Sequence, residues 1–175
     1  MKNFSELISK RRSTRKFSSE PLTAEQVEII LKAGLKSPTS KNAKPCHFIV
    51  IEDKEVLLKL SQCKKVGSKP LAESFLAIVV AADPLVSNVW IEDASIATIV
   101  MQLQIEDLGL GSCWIQIRER YTIADTSAEE YVKDLLDLPL QLQVLSIIAV
   151  GNKTQEKPAI DDDNLQWEKV HIGKF

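Results

Sequence analysis

Near its amino end the chain carries the stretch Arg11-Arg12-Ser13-Thr14-Arg15-Lys16-Phe17. It places four cations in six consecutive positions, whereas the whole chain has a formal net charge of -2. Guanidinium groups offer forked donors that match the geometry of a phosphate, and a serine hydroxyl adds a short donor. The stretch therefore suits an anion. The alternative is that its first cations only complement the dipole at the end of a preceding helix.

The composition predicts one globular domain over residues 1–175, since 45% of the chain is hydrophobic. The small net charge argues against a broad nucleic-acid surface. We find no charged-then-apolar leader and no uncharged apolar run of about 18 residues, so we expect a cytoplasmic protein without a membrane segment. Three separated cysteines and two histidines argue against a disulfide framework and a multi-histidine metal site.

Capping residues predict the first two helices, one on each side of the basic stretch. Asn3 can cap a short first helix, and Thr23 with Gln26 forms a capping box for a second helix that should end at Ser37. Residues 37–45 then form a loop with two prolines, and its hydroxyl and amide groups offer donors and acceptors on a stiffened backbone. The plainer interpretation of this loop is a connector.

Four apolar stretches predict strands. Three of them are residues 47–51, 75–82 and 143–150. The fourth, residues 110–117, follows a glycine turn that allows close approach by a neighbour such as a flat ligand. In the polar tail, residues 168–172 are a candidate for a last strand at a sheet edge.

Three further helices are predicted, after Asp53, over residues 90–108 and after Ser127, while residues 64–70 suggest a polar linker. The longest of the three should end at Gly109. It carries two apolar stripes, which indicates burial on two sides, at the centre of the fold or in a dimer contact. The stripes are Trp90, Ala94, Ala97 and Met101, and Ile96, Ile99, Val100 and Leu103.

Strands and helices alternate along the chain, which by itself favours a parallel α/β sheet. No Gly-x-Gly-x-x-Gly follows a predicted strand, so the dinucleotide-binding fingerprint is absent from the sequence. We also see no catalytic triad. The sequence pattern alone therefore leaves the chemistry open.

Four stretches together, in this order and spacing, resemble the FMN-dependent nitroreductase family. The first is the basic stretch after a short helix, and the second is Ser37-Pro38-Thr39-Ser40-Lys41-Asn42 with Pro45 leading into a strand. The third is the long helix closing on Gly109-Leu110-Gly111-Ser112-Cys113-Trp114-Ile115. The fourth is Val150-Gly151, followed by a segment with lysines and a proline.

The resemblance implies an α+β fold of three layers, in which helices flank a mostly antiparallel central sheet. This expectation replaces the parallel sheet suggested by alternation. It also implies a homodimer with two FMN sites at the subunit interface. Helices similar to residues 90–108 form the dimer core in this family, which would explain the two apolar stripes.

The resemblance also assigns the binding residues. At the amino end it implies that Arg11, Arg12 and Ser13 contact the phosphate, the ribityl chain and the ring edge of FMN, and that Arg15 adds a basic contact. The partner subunit would supply a loop, which the resemblance places at Pro38, Thr39, Ser40 and Asn42. The strand against the flavin ring would comprise Cys113, Trp114, Ile115 and Gln116. The C-terminal phosphate contacts would be Gly151 and a lysine, either Lys153 or Lys157, of which we select Lys157.

The resemblance implies a flavin oxidoreductase that passes electrons from NADH or NADPH through FMN to a small electron-poor acceptor, such as a nitroaromatic or a quinone. The flavin would carry the chemistry, so no catalytic side chain is expected. Many relatives have glycines where this chain has Gln116-Ile117-Arg118. That difference motivates a first alternative, a specialised flavin reaction such as dehalogenation or flavin breakdown. A second alternative is a flavin-binding dimer without catalysis.

Overall fold

The structure is a computed structural model and describes residues 3–175. Its helices are α1 (Phe4–Lys10), α2 (Ala24–Leu35), α3 (Lys54–Leu60), α4 (Pro70–Glu73), α5 (Trp90–Asp107) and α6 (Ala128–Leu135). Its strands are β1 (Cys46–Ile51), β2 (Leu76–Ala82), β3 (Gly111–Gln116) and β4 (Gln143–Gly151). The short α4, which was not predicted, begins at Pro70, the last residue of the predicted linker.

The four strands form one sheet in the order β1-β2-β4-β3, and every pair of neighbours is antiparallel. The parallel sheet expected from alternation is therefore wrong, and the antiparallel sheet implied by the resemblance is confirmed. The consecutive strands β1 and β2 are neighbours but run in opposite directions, and β4, the last strand in the chain, inserts between β2 and β3. Alternation predicts parallel pairing only when each connection returns the next strand in the same direction beside the previous one.

Helices cover both faces of the sheet, which confirms the three-layer α+β architecture. On one face, α2 and α5 contribute Ile30, Ala94, Met101 and Ile105 to a core with β2 and β4. On the other face, α3, α4 and α6 bury Leu57, Leu60, Leu71 and Val132 against the same strands and β3. Every residue of β2 is buried, as its continuous apolar run predicts.

The predicted helix signals are confirmed as hydrogen bonds. The Asn3 side chain accepts from the amide of Ser5 at 3.1 Å. Thr23 and Gln26 exchange both bonds of a capping box. Gly109 adopts φ 78° directly after α5, where a residue without Cβ is favoured. Helix boundaries in this chain are therefore set by local chemistry.

The tail does not form the candidate strand at residues 168–172, and this prediction is wrong. Trp167–Lys169 forms a single 3-10 turn, and the side chain of Ile172 is 95% exposed. A strand needs a partner edge and one buried face. The edge of β3 is taken instead by the basic stretch, since Ser13 forms a parallel bridge with Ser112.

The two stripes of α5 have different surroundings in a single chain. Ala94, Ala97 and Met101 of the first stripe are fully buried. Ile96 and Ile99 of the second stripe remain 38% and 39% exposed. None of the described helices is both long enough and apolar enough to cross a membrane.

Candidate functional site

The basic stretch docks along the free edge of β3. The amide of Thr14 donates to the carbonyl of Ser112 at 2.8 Å. A Cβ added to Gly111 would lie 2.7 Å from the Thr14 side chain, so only glycine permits this approach. The close neighbour predicted at Gly111 is therefore Thr14 of the same chain.

A second contact joins the end of the stretch to the residues after β4. Phe17 forms an antiparallel bridge with Lys153, and the amide of Ser18 donates to the carbonyl of Asn152 at 2.9 Å. A Cβ at Gly151 would lie 2.9 Å from the Phe17 ring. Gly151 is thus required for packing, in addition to any contact it makes with a ligand.

The cations of the stretch are largely free of acidic partners. Within residues 3–175, the side chains of Arg11 and Arg15 form no hydrogen bond or ion pair, and both remain available to an anion. Arg12 donates through Nη1 to the carbonyl of Pro158 at 2.8 Å. Guanidinium donors without carboxylate partners are suited to bind phosphate.

The structure distinguishes the two C-terminal lysines. Lys157 donates through Nζ to the carbonyl of Ser13 at 2.7 Å, which places its charge beside the basic stretch. Lys153 instead forms an ion pair with Glu106 at 2.7 Å, and the two side chains are only 9% and 6% exposed. Lys157 is thus the better placed of the two to meet a ligand at the stretch.

Cys113 of β3 lies near charged side chains from three segments that are far apart in the sequence. Burial raises the pKa of its thiol, and the positive charges of Arg15, Lys64 and Lys157 partly oppose this rise. These three charges come from the basic stretch, the segment after α3 and the segment after β4. The fold therefore brings together the predicted residues of the amino end, β3 and the C-terminal region.

The other predicted residues of β3 divide between the two faces of the sheet. The side chain of Ile115 is fully buried in the core, so only its backbone can contact a ligand. Trp114 packs near α5 and donates through Nε1 to the side chain of Gln116 at 2.9 Å. The carbonyl of Gln116 accepts from Nζ of Lys64 at 3.1 Å. Gln116 is therefore held on both its side chain and its backbone.

A cavity of about 900 Å³ opens beside this cluster, within the range of about 300–1,000 Å³ typical of small-molecule sites. We call it the main cavity. Arg15 and Lys64 line this cavity. Its other lining residues come from segments for which the sequence predicts no function: Ser61, Gln62, Lys65, Val66, Gly67, Ser68, Lys69, Pro70, Glu73, Thr122, Ile123, Ala124, Thr126 and Tyr131. The missed signal was the density of lysines around Gly67 in the predicted linker.

The predicted loop at Pro38, Thr39, Ser40 and Asn42 lies elsewhere in the chain. The amide of Ser40 donates to the buried carboxylate of Asp93 on α5 at 2.7 Å. Thr39 closes a turn by accepting from the amide of Lys44 at 3.0 Å. Across residues 3–175, no hydrogen bond joins this loop to the basic stretch. A single chain therefore does not unite the two halves of the predicted site.

Comparisons with known proteins agree with this architecture. The model of the nitroreductase family matches residues 8–89 and 87–152. An FMN-dependent nitroreductase from Clostridium difficile R20291 is 44% identical, with a TM-score of 0.95 over 98% of this chain and 99% of that one. A crystal structure from Parabacteroides distasonis, provisionally named NADH dehydrogenase/NAD(P)H nitroreductase, is 27% identical, with a TM-score of 0.90 over the full length of both chains.

A curated relative from Archaeoglobus fulgidus, with the same provisional name, is 33% identical over 174 residues, which cover 97% of each chain. The family model spans most of the sequence, and the matched residues include the basic stretch, the loop before β1, β3 and the end of β4. The chain therefore belongs to the nitroreductase family.

Proposed function

We propose that the chain is a homodimeric flavin oxidoreductase that binds FMN between its subunits. It takes electrons from NADH or NADPH and reduces a small electron-poor acceptor, a nitroaromatic or a quinone. Membership of the nitroreductase family supports oxidoreductase chemistry. The 44% identical protein from Clostridium difficile is described as FMN-dependent, which supports FMN as the cofactor.

One observation carries the proposal. Cations from three separate segments gather here, since Arg15 and Lys64 line the main cavity and Lys157 donates to the carbonyl of Ser13 in the basic stretch at 2.7 Å. Cations held close together at a cavity repel one another, and this repulsion destabilises the protein unless an anion is bound. A phosphorylated planar cofactor supplies that anion, and its ring can occupy part of the main cavity.

The residues present fit FMN. Arg11, Ser13 and Lys157 offer donors for a phosphate of about two negative charges. Each such hydrogen bond is worth about 1.5–3 kcal/mol. Arg15 and Lys64, on the wall of the main cavity, would face the ring. When bound, FMN supplies the electron transfer itself, and the side chains bind, orient and shield it.

The dimer would complete the site. Ile96 and Ile99 leave an apolar face of α5 exposed in a single chain, and such a face favours a partner. The loop at Pro38, Thr39, Ser40 and Asn42 is anchored on that same helix through Asp93. Pairing of two chains through α5 would then carry the loop of one subunit to the basic stretch of the other.

An absorption spectrum of the purified protein, before and after addition of NADH or NADPH without oxygen, tests this function. We expect flavin bands that bleach with the nicotinamide and return when a nitroaromatic or a quinone is added. Light scattering should give twice the mass of the chain. A monomer that binds no added FMN would contradict the proposal, and a flavin that neither nicotinamide reduces would favour a dimer without catalysis.

The second candidate function is a specialised reaction, such as dehalogenation or flavin breakdown, and Gln116 is the residue that supports it. Its side chain accepts from Trp114 and donates to the carbonyl of Arg118 at 3.1 Å, so the side chain is held in one position. A fixed side chain beside the ring would narrow the choice of substrates. Broad turnover of nitroaromatics at ordinary rates would argue against this candidate.

A further inference from the structure

A second cavity of about 350 Å³ adjoins the main cavity. We call it the side cavity. It is lined by Lys64, Lys65, Val66, Glu119, Arg120 and Tyr121. The first three of these residues also line the main cavity, so the two cavities lie side by side along residues 64–66. Lys64 therefore borders both cavities.

The side cavity is lined by more cationic side chains than acidic ones. Lys65 is paired with Asp125, and Glu119 is paired with Arg118 at 2.8 Å. Lys64 and Arg120 have only carbonyl partners: Lys64 donates to Gln116 at 3.1 Å, and Arg120 donates to Glu119 at 2.8 Å. In the described chain from residue 3 onward, neither cation has a carboxylate partner.

Lys64 and Arg120 are also close enough to repel each other. Burial lowers the pKa of Lys64, the nearby thiol of Cys63 partly opposes this shift, and the charge of Arg120 lowers the pKa further. An ammonium group has three donors and a guanidinium group has five, so one carbonyl bond leaves donors free on each. A bound anion would relieve the repulsion and use those donors.

Exposed apolar side chains line the same cavities as the two cations. Val66, Tyr121 and Ile123 are 83%, 55% and 82% exposed at the walls of the two cavities. The walls are held together, because the amide of Lys65 donates to the carbonyl of Tyr121 at 2.9 Å. The amide of Ala128 in turn donates to the carbonyl of Arg120 at 2.8 Å. An aromatic ring can lie against such a surface while its charged group reaches the cations.

We propose that the side cavity is a subsite for the oxyanion group of an aromatic substrate, held by Lys64 and Arg120, while the ring of that substrate occupies the main cavity. The proposal rests on the proposed function, since it names the substrate class of the same site. The oxyanion group can be a carboxylate of the acceptor or a phosphate of the dinucleotide. The two experiments below distinguish these sources.

Calorimetric titration of the oxidised protein with para-nitrobenzoate and its neutral isostere para-nitrobenzamide tests the carboxylate source. We expect the parent protein to prefer the benzoate. Arg120→Gln should reduce that preference about tenfold, because it loses one hydrogen bond to a charged group. Arg120→Lys should keep most of it. The matched control Lys32→Gln removes an exposed cation of α2 that lines neither cavity, and it should leave the preference unchanged.

The ratio of kcat/KM for NADPH over NADH, measured in the same variants, tests the phosphate source. A fall of this ratio in Arg120→Gln assigns the subsite to the dinucleotide phosphate, and a fall of the benzoate preference assigns it to the acceptor. If both quantities stay at the parent values, the subsite is refuted. Flavin content is measured first, because a protein that binds no flavin contradicts the proposed function, whereas the benzoate titration still decides the subsite.

Discussion

Arg11 stands at the end of α1, where its backbone amide closes the helix on the carbonyl of Leu7 at 3.0 Å. Its guanidinium has no acidic partner within residues 3–175. A cation at a helix C-terminus is favourable in itself, because it complements the helix dipole. Arg11 can therefore serve the helix and a bound phosphate together, and the two interpretations of the basic stretch do not compete.

Substitution of Arg11 separates these roles. We expect Arg11→Ala to raise the Kd for FMN about tenfold or more, since one hydrogen bond to a charged group is lost. Equilibrium dialysis of the reconstituted protein measures this change. The control is Lys16→Ala, which removes an exposed cation of the same stretch. Equal retention of flavin by the two variants would show that Arg11 does not contact the phosphate.

Cys113 is expected to play a passive part. Burial raises the pKa of its thiol, so the thiol stays protonated at neutral pH and is a poor nucleophile. We therefore predict that Cys113→Ser retains most of the steady-state oxidation of NADH. The flavin spectrum of the variant verifies that the site has formed. Loss of turnover with flavin still bound would instead give the thiol a chemical role.

At the scale of elements, Asp93 joins the loop before β1 to α5. Asp93 is 2% exposed, and its carboxylate accepts from the amide of Ser40 and from the hydroxyl of Ser87, both at 2.7 Å. A buried carboxylate of this kind is retained only when its acceptors are satisfied. The bond therefore fixes the position of the loop relative to the helix.

Removal of this carboxylate should release the loop. Asp93→Ala leaves the amide of Ser40 and the buried hydroxyl of Ser87 unpaired, and we expect a loss of about 1–3 kcal/mol in the free energy of unfolding. Urea denaturation followed by tryptophan fluorescence measures the loss. Glu92→Ala, at the exposed neighbouring position of α5, is the matched control. A variant of Asp93 as stable as this control would mean that the loop is held by other contacts.

The elements themselves were largely predictable, because their signals are local. Asn3, Thr23, Asp53 and Ser127 each cap the helix that was assigned to them. The candidate strand at residues 168–172 failed for the opposite reason. Its apolar residues satisfy a local pattern, but a strand requires a partner and a covered face, and both depend on the rest of the chain.

At the scale of the whole molecule, the exposed stripe of α5 bears on oligomeric state. We predict that Ile99→Glu converts a dimer to a monomer and lowers FMN occupancy, because a buried charge without a partner would oppose association. Light scattering coupled to size exclusion measures the mass, and absorbance measures the flavin. Ile99 is 39% exposed in one chain, so the substitution is tolerated by the fold itself.

The control for the dimer is Leu85→Glu. Leu85 is 87% exposed and precedes α5, so a charge there should alter neither mass nor flavin content. A dimer that survives Ile99→Glu would place the interface on another surface. Simultaneous loss of mass and flavin would support a site shared between subunits.

The sequence alone predicted five of the six helices, the four strands of the sheet and the donor-rich basic stretch with Arg11 and Ser13, because capping, periodicity and charge density act between near neighbours. Only the tertiary structure showed that β4 lies between β2 and β3 and that Lys153 forms an ion pair with Glu106. It also showed that residues of the predicted linker line the main cavity. These features depend on strand pairing and on charges far apart in the chain. Their free energies depend on contacts throughout the folded chain, and no short stretch of sequence contains all of those contacts.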